Sequence, residues 1–94
     1  MIKNLEKLSK IQKRLLFYIL TYTDEFKYSP TREEMAEYFS IVRRKKFSRQ
    51  WAEYHLAYME RLGIVRIKRD GTRRNVKVIV KEEDREVLRR ENVN

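Results

Sequence analysis

Apolar side chains recur three or four positions apart in the first quarter of the chain, at Leu8, Ile11, Leu15, Tyr18, Ile19 and Tyr22. At about 100° per residue, these positions fall on one side of a helix. Ser9, followed three residues later by Gln12, fits a capping box, in which each side chain bonds to the other residue's backbone. The pattern predicts a first helix over roughly residues 9–23.

The same helix carries a second apolar group. Leu16 and Leu20 fall on the side opposite the main stripe, and Phe17 lies between the two sides. The N-terminal residues Ile2 and Leu5, the C-terminal tail or a second copy of the chain could cover this group. We hypothesise that Leu16, Phe17 and Leu20 form a homodimer interface, with the tail as the competing cover.

Two further helices follow, each opened by a capping residue. Thr31 and Glu34 form a second capping box, and the helix is predicted to end near Phe39. Ser48 offers the N-cap of a third helix, which Gly63 ends because glycine readily adopts the left-handed conformation of a C-terminal cap. The predicted buried stripes are Met35, Ala36 and Phe39 in the second helix, and Ala52, Leu56, Met59 and Leu62 in the third.

Beyond Gly63 the hydrophobic period changes from that of a helix to that of a strand. Apolar and charged residues alternate on both sides of an Asp70-Gly71 turn, which predicts one β-hairpin with its tip at residues 69–75. Residues 82–91 could add a helix, but their apolar content is low and we expect fraying. With one proline and two glycines, the chain has no stretch that reads as a flexible linker between domains. We therefore predict a single domain over 1–80 and a charged tail over 81–94.

Three helices followed directly by a hairpin is the element order of a winged helix-turn-helix, a mainly helical α+β fold. In this fold the third helix enters the major groove of double-stranded DNA, and the hairpin, or wing, lies along the backbone or the adjacent minor groove. Polar side chains lie opposite the core stripe of the third helix. We predict that base edges are read by Ser48, Arg49, Gln50, Glu53 and Tyr54.

The net charge of +9 is concentrated in the middle of the chain. Residues 41–80 hold twelve Lys/Arg against three Asp/Glu, whereas 1–40 hold seven against six and 81–94 hold four against five. Such a concentrated field attracts a polyanion, although a solubilising surface is the alternative interpretation. The predicted phosphate contacts are Arg43, Arg44, Lys45 and Lys46 before the third helix, and Arg69, Arg73 and Arg74 on the wing.

Several side chains with chemical potential are interpreted as structural. Trp51 is predicted to pack against a neighbouring helix, and His55 to pack with a satisfied ring nitrogen. Tyr28 and Tyr38 flank the second helix, where a hydroxyl could reach a phosphate, but packing is the favoured role. No cysteine is present, and one histidine cannot bind zinc unaided.

Nothing in the sequence favours catalysis. The acidic residues fall mostly on helix surfaces beside basic ones, and Asp24, Glu25 and Glu33 match no carboxylate motif for a metal. We therefore predict no enzyme activity, metal, cofactor or small-molecule ligand. No stretch approaches the roughly 18–20 apolar residues that span a membrane, so no membrane association is expected.

The chain resembles the N-terminal DNA-binding domain of LexA-type repressors. The resemblance runs from Leu8 to Ile79, and it is carried by residues 8–12 (LSKIQ), 29–36 (SPTREEMA), 53–56 (EYHL) and 62–65 (LGIV). It implies a winged helix and sequence-specific duplex binding from the start of the third helix, at Ser48, Gln50, Ala52, Glu53 and Tyr54. The turn before that helix is longer and more basic than the family's.

The sequence predicts a transcriptional regulator, in the manner of a repressor, that occupies a promoter as a homodimer. Two copies on a pseudo-palindrome supply the affinity that one lacks. The alternatives are a protein-interaction module of the transcription or replication machinery, and a binder of RNA or single strands. No counterpart of the self-cleaving domain of those repressors is present, so autoproteolysis is not expected. We expect a cytoplasmic location, in the host if viral, and the composition is consistent with a thermophile or its virus.

Overall fold

The computed structural model describes residues 3–92, which form a mainly helical winged helix. A 3₁₀ helix, Lys3–Lys7, precedes three α-helices, a two-stranded antiparallel sheet and a final α-helix. The elements after the 3₁₀ helix are α1 (Lys10–Phe26), α2 (Arg32–Arg43), α3 (Arg49–Arg61), β1 (Val65–Ile67), β2 (Val76–Val78) and α4 (Glu82–Asn92). The predicted fold class, three helices followed by a hairpin wing, is confirmed.

Both predicted capping boxes are present. The Ser9 hydroxyl accepts a hydrogen bond from the Gln12 backbone at 3.2 Å, and the Gln12 side chain accepts one from the Ser9 backbone at 2.9 Å. Thr31 and Glu34 make the equivalent pair at 3.1 Å and 2.9 Å. Each box satisfies two of the amide groups that a helix start leaves unpaired, which fixes where α1 and α2 begin.

The second helix is longer than predicted. It continues past Phe39 to Arg43, and Arg44 ends it in the left-handed conformation with φ +54°. The sequence pattern missed this extension because Ile41 and Val42 are exposed and add nothing to the buried stripe. Arg43 therefore belongs to α2 itself, and only 44–48 connect the two helices.

Helix α3 ends as its glycine predicts. Gly63 has φ +77°, and the Ile64 backbone donates to the Met59 carbonyl at 3.0 Å. This six-residue closure is a Schellman motif, which turns the chain sharply out of a helix. It places β1 two residues after the cap, so the hairpin follows α3 without a flexible connection.

The final helix covers the second apolar side of α1. Leu16 is fully buried and Leu20 is only 8% exposed, and α4 packs on α1 with Leu88 fully buried. Lys13 and Glu91 add an ion pair at 3.3 Å. The homodimer interface predicted at Leu16, Phe17 and Leu20 is therefore wrong.

The competing interpretation, a tail that packs over these residues, is the one that the structure supports. Phe17 is half-buried and lines a shallow groove between α1 and α4. Leu5 and Leu8 also join the core, whereas Ile2 lies outside the described residues. The tail, for which the sequence left a helix or a frayed segment open, forms α4 in the structure, with Leu88 buried. Over the described residues, no helix is both long and apolar enough to cross a membrane.

Candidate nucleic-acid interface

The exposed side of α3 presents the side chains predicted to read base edges. Arg49, Gln50, Glu53 and Tyr54 are all exposed, Tyr54 at 68%, while Ala52, Leu56 and Met59 face the core. Ser48 is exposed too, but its hydroxyl accepts a hydrogen bond from the Trp51 backbone at 3.2 Å. Its first role is therefore to cap α3, as the sequence also predicted.

Aromatic packing fixes the position of α3. The Trp51 ring lies 5.1 Å from that of Phe39 and 4.7 Å from that of Phe47, centroid to centroid. Because Phe39 is on α2 and fully buried, this contact locks the start of α3 against α2. The predicted packing role of Trp51 is confirmed.

His55 is hydrogen-bonded to α1. Gln12 Nε2 lies 2.8 Å from His55 Nδ1, and burial lowers the pKa of the imidazole. Because Gln12 Oε1 already accepts from the Ser9 backbone, the amide nitrogen is the donor and Nδ1 the acceptor. The prediction that His55 packs with a satisfied ring nitrogen is confirmed, and the same bond ties the middle of α3 to the start of α1.

Arg49 lies between two carboxylates. Its guanidinium is 3.2 Å from Glu53 and 3.6 Å from Glu33, and all three side chains are about half exposed. Exposed ion pairs of this kind contribute little stability, about 0–1 kcal/mol, and exchange readily for another anion. Arg49 is thus held at the surface in a position from which it can turn to a phosphate or a base.

A cleft of about 240 Å³ separates α3 from the tip of the wing. Gly71, Thr72, Arg73 and Asn75 line it from the wing, opposite Arg32, Glu33, Arg49 and Glu53 of the two helices. The structure thus brings the predicted residues Arg49, Glu53 and Arg73 to one concave surface. It also adds Arg32, which the sequence analysis did not select.

Arg32 joins the start of α2 to the wing. Its guanidinium donates to the Asn75 side chain at 2.5 Å and to the Arg73 carbonyl at 3.4 Å, and burial lowers its pKa. Asn75 in turn donates to the Lys68 carbonyl at 2.7 Å, which closes the tip of the hairpin. The two contacts of Arg32 join residues more than 40 positions apart, so no local sequence signal could have revealed them.

Arg74 has a different place from the one predicted. Instead of projecting from the wing, its guanidinium makes a two-pronged ion pair with Glu34, both bonds at 2.9 Å. It also donates to the Tyr22 hydroxyl and the Ser29 carbonyl at 3.1 Å, and lies 4.5 Å from the centre of the Tyr28 ring. A planar guanidinium fits a carboxylate in this way, so Arg74 braces the wing against α2.

The brace explains the acid–base behaviour of its partners. Hydrogen bonds from Arg74 lower the pKa of Glu34 to about 2, and the same pairing raises the pKa of Arg74. Because Glu34 also caps α2, the carboxylate joins the start of that helix to the wing. The pKa of Tyr18, a neighbour on α1, is raised to about 12 by burial and by Glu34.

Arg69 is also paired within the protein. It makes two hydrogen bonds of 2.9 Å to the Glu60 carboxylate on α3. Among the predicted wing contacts, Arg73 is the one that remains exposed and without an ion pair over the described residues. The predicted DNA contacts of Arg69 and Arg74 stay predictions, and in the free protein both arginines are held by acids on the helices.

The basic cluster before α3 is exposed as predicted. Arg43, Lys45 and Lys46 line a broad groove of about 630 Å³ together with Ile11, Phe47, Ser48 and Trp51. Arg44 is the exposed C-cap of α2 and does not line this groove. The cluster therefore lies beside the amino end of α3, where backbone amides and the helix dipole also favour an anion.

The comparison with known families gives the decisive observation. A family model described as the LexA DNA-binding domain matches residues 5–74. The chain belongs to this family. The match runs from the 3₁₀ helix through the wing tip, so it includes α3 and every predicted contact residue. A search of curated proteins found no match.

Membership of the LexA DNA-binding domain family establishes the class of ligand. The domain is a DNA-binding domain of the kind found in transcription regulators, and it is not a catalytic one. No group of three or more possible metal ligands occurs within the described part of the chain. The surface formed by α3, the cleft and the wing tip is the candidate interface for DNA.

Proposed function

We propose that the protein is a sequence-specific, double-stranded DNA-binding regulator that acts by occupying a promoter, without catalysis of its own. The observation that supports this most strongly is the shared surface of α3 and the wing tip. Two basic groups flank the exposed polar side of α3: Arg73 lies on one side, and Arg43, Lys45 and Lys46 lie on the other. Neither group makes an ion pair with any of the described residues. This spacing lets phosphate contacts position a helix that reads bases between them.

Each residue of the interface has a proposed role. The bases are contacted by the exposed side chains of α3, namely Arg49, Gln50, Glu53 and Tyr54. Of these, Gln50 is suited to a bidentate contact with adenine. Arg43, Lys45, Lys46 and Arg73 contact phosphates. Ser48, Arg69 and Arg74 contribute through the cap and the ion pairs that hold α3 and the wing in place. We assign no phosphate contact to Arg44 because it does not line the groove.

We further propose that two copies bind a pseudo-palindromic site, in the cytoplasm of the cell or of a viral host. A single winged helix reads few base pairs, so a second copy raises affinity and specificity. Because Leu16 and Leu20 are buried within one chain, the pair would be organised by the spacing of the half-sites on DNA. Repression would follow from exclusion of the polymerase.

The test compares two variants on a panel of duplexes with single base-pair changes. Gln50→Ala should lose preference at one or two positions, by about 1–3 kcal/mol at each. The contrasting double variant Lys45→Gln with Lys46→Gln should weaken binding to all duplexes alike. Unchanged base preference in Gln50→Ala would refute the assignment of α3 as the reading helix.

A further inference from the structure

The hairpin has a basic outer face that is separate from the wing tip. Val65 and Val76 point into the core, and the residues after them, Arg66 and Lys77, are exposed on the other side of the sheet. Lys68, two positions beyond Arg66, is also exposed and lies on the same side. We call Arg66, Lys68 and Lys77 the outer basic face.

This face places two like charges directly opposite each other. Arg66 and Lys77 are register partners across the antiparallel pair. Directly opposed side chains are about 5 Å apart at Cβ, and like charges in that position destabilise a sheet. With three paired residues in each strand, the hairpin has few other cross-strand contacts to offset this repulsion.

No acid relieves the repulsion within the described part of the chain, where neither Arg66 nor Lys77 makes an ion pair. The one acid in the sequence between 64 and 81 is Asp70. Its carboxylate accepts hydrogen bonds from the Thr72 backbone at 3.1 Å and the Thr72 hydroxyl at 2.7 Å. Asp70 is therefore occupied in the turn.

Two of the other three arginines of the hairpin are paired with acids on the helices. Arg69 is paired with Glu60 and Arg74 with Glu34, each with two short hydrogen bonds. Arg66 and Lys77 thus differ from the paired arginines in having no acidic partner within the described residues, whereas Lys68 interacts with Asp70. An external anion would supply the missing countercharge.

We propose that the outer basic face binds the phosphate backbone of duplex DNA and extends the contact beyond the wing tip. This inference rests on the proposed function. The wing tip lines the cleft beside α3, and Lys68 lies between that tip and Arg66 along the chain. A duplex seated on α3 passes the tip, and the outer face continues the basic track past it.

The test measures duplex binding by fluorescence anisotropy at 50 and 200 mM salt. The variants are Arg66→Gln and Lys77→Gln, and the matched control is Arg90→Gln, which removes one charge from an exposed position on α4. One lost phosphate contact lowers the salt slope by about 0.9. The ratio of the affinity at 50 mM salt to that at 200 mM salt should therefore be about 3.5-fold smaller for each hairpin variant than for the wild type. The control should behave like the wild type.

A second variant separates binding from folding. Lys77→Glu places opposite charges across the strands, so the free protein should melt at a higher temperature while its affinity for duplex falls. Normal binding by both glutamine variants would overturn the inference and leave the proposed function standing. Absence of duplex binding by the wild type would overturn both. A lower melting temperature for Lys77→Glu would show that Arg66 and Lys77 do not destabilise the hairpin by repulsion, and the inference would then be overturned.

Discussion

Replacement of Leu88 by alanine tests whether α4 is part of the cooperative core. Leu88 is fully buried, and its helix covers the second apolar side of α1. The change removes three carbon atoms, which at about 0.8 kcal/mol each gives about 2.4 kcal/mol for lost burial. The cavity left behind adds to this, and buried Leu→Ala changes typically cost about 2–5 kcal/mol. We therefore expect a loss of about 3 kcal/mol.

For a domain of this size, that loss corresponds to a fall in melting temperature of about 12–24 °C. The assay is thermal unfolding followed by circular dichroism, with Val87→Ala as the control on the same helix. Val87 is half-buried, so its truncation should cost about 1 kcal/mol or less. A change in melting temperature for Leu88→Ala no larger than that of the control would refute the reasoning, because α4 would then detach independently of the core.

Three other predictions concern the brace and the caps. The pKa of Glu34 is lowered to about 2, so its ionised carboxylate should stabilise the fold above pH 4.5 and lose that contribution as the pH falls toward 2. In an acid unfolding titration, the free energy of unfolding of Glu34→Gln should not show this fall between pH 4.5 and pH 2. Arg74→Gln should lower the melting temperature without changing the salt slope of duplex binding. Arg73→Gln should lower that slope by about 1. An equal loss of slope in both variants would show that Arg74 also contacts DNA. Gly63→Ala should cost about 1 kcal/mol in a urea titration because φ is +77° there, and an unchanged midpoint would argue against the Schellman cap.

The features predictable from the sequence are those governed by neighbours within a few residues. The capping pairs Ser9 with Gln12 and Thr31 with Glu34, the glycine cap at Gly63 and the strand alternation all depend on local stereochemistry. Because these local features also set the order of elements, the winged-helix fold could be predicted.

The contacts that the sequence does not reveal join residues distant in the chain. The pairing of Arg74 with Glu34 spans 40 positions, and that of Arg32 with Asn75 spans 43. An exposed arginine at a hairpin tip has the same local sequence whether it faces DNA or a carboxylate on another helix. For this reason charge and position alone reveal neither the ion pair of Arg74 nor the contacts of Arg32.

The packing of the tail also depends on distant residues. Its average apolar content is low, so its own sequence does not show whether it packs as a helix or frays. In the structure, Leu88 of the tail is buried, and the tail helix packs on α1, whose second apolar side contains Leu16 and Leu20. The same observation removes the predicted dimer interface, since the chain covers that side itself.

The most direct test of the central claim is the affinity of the wild-type protein for the duplex upstream of its own gene and for a scrambled duplex of equal composition, across a salt series. The account predicts tighter binding to the upstream duplex. It also predicts a slope of log affinity against log salt of about −3.6 from the four phosphate contacts of Arg43, Lys45, Lys46 and Arg73, and a slope steeper by about 0.9 for each contact that the outer basic face adds. Equal affinity for the two duplexes would contradict sequence-specific reading of that site by α3, and absence of binding to either would contradict a DNA-binding function.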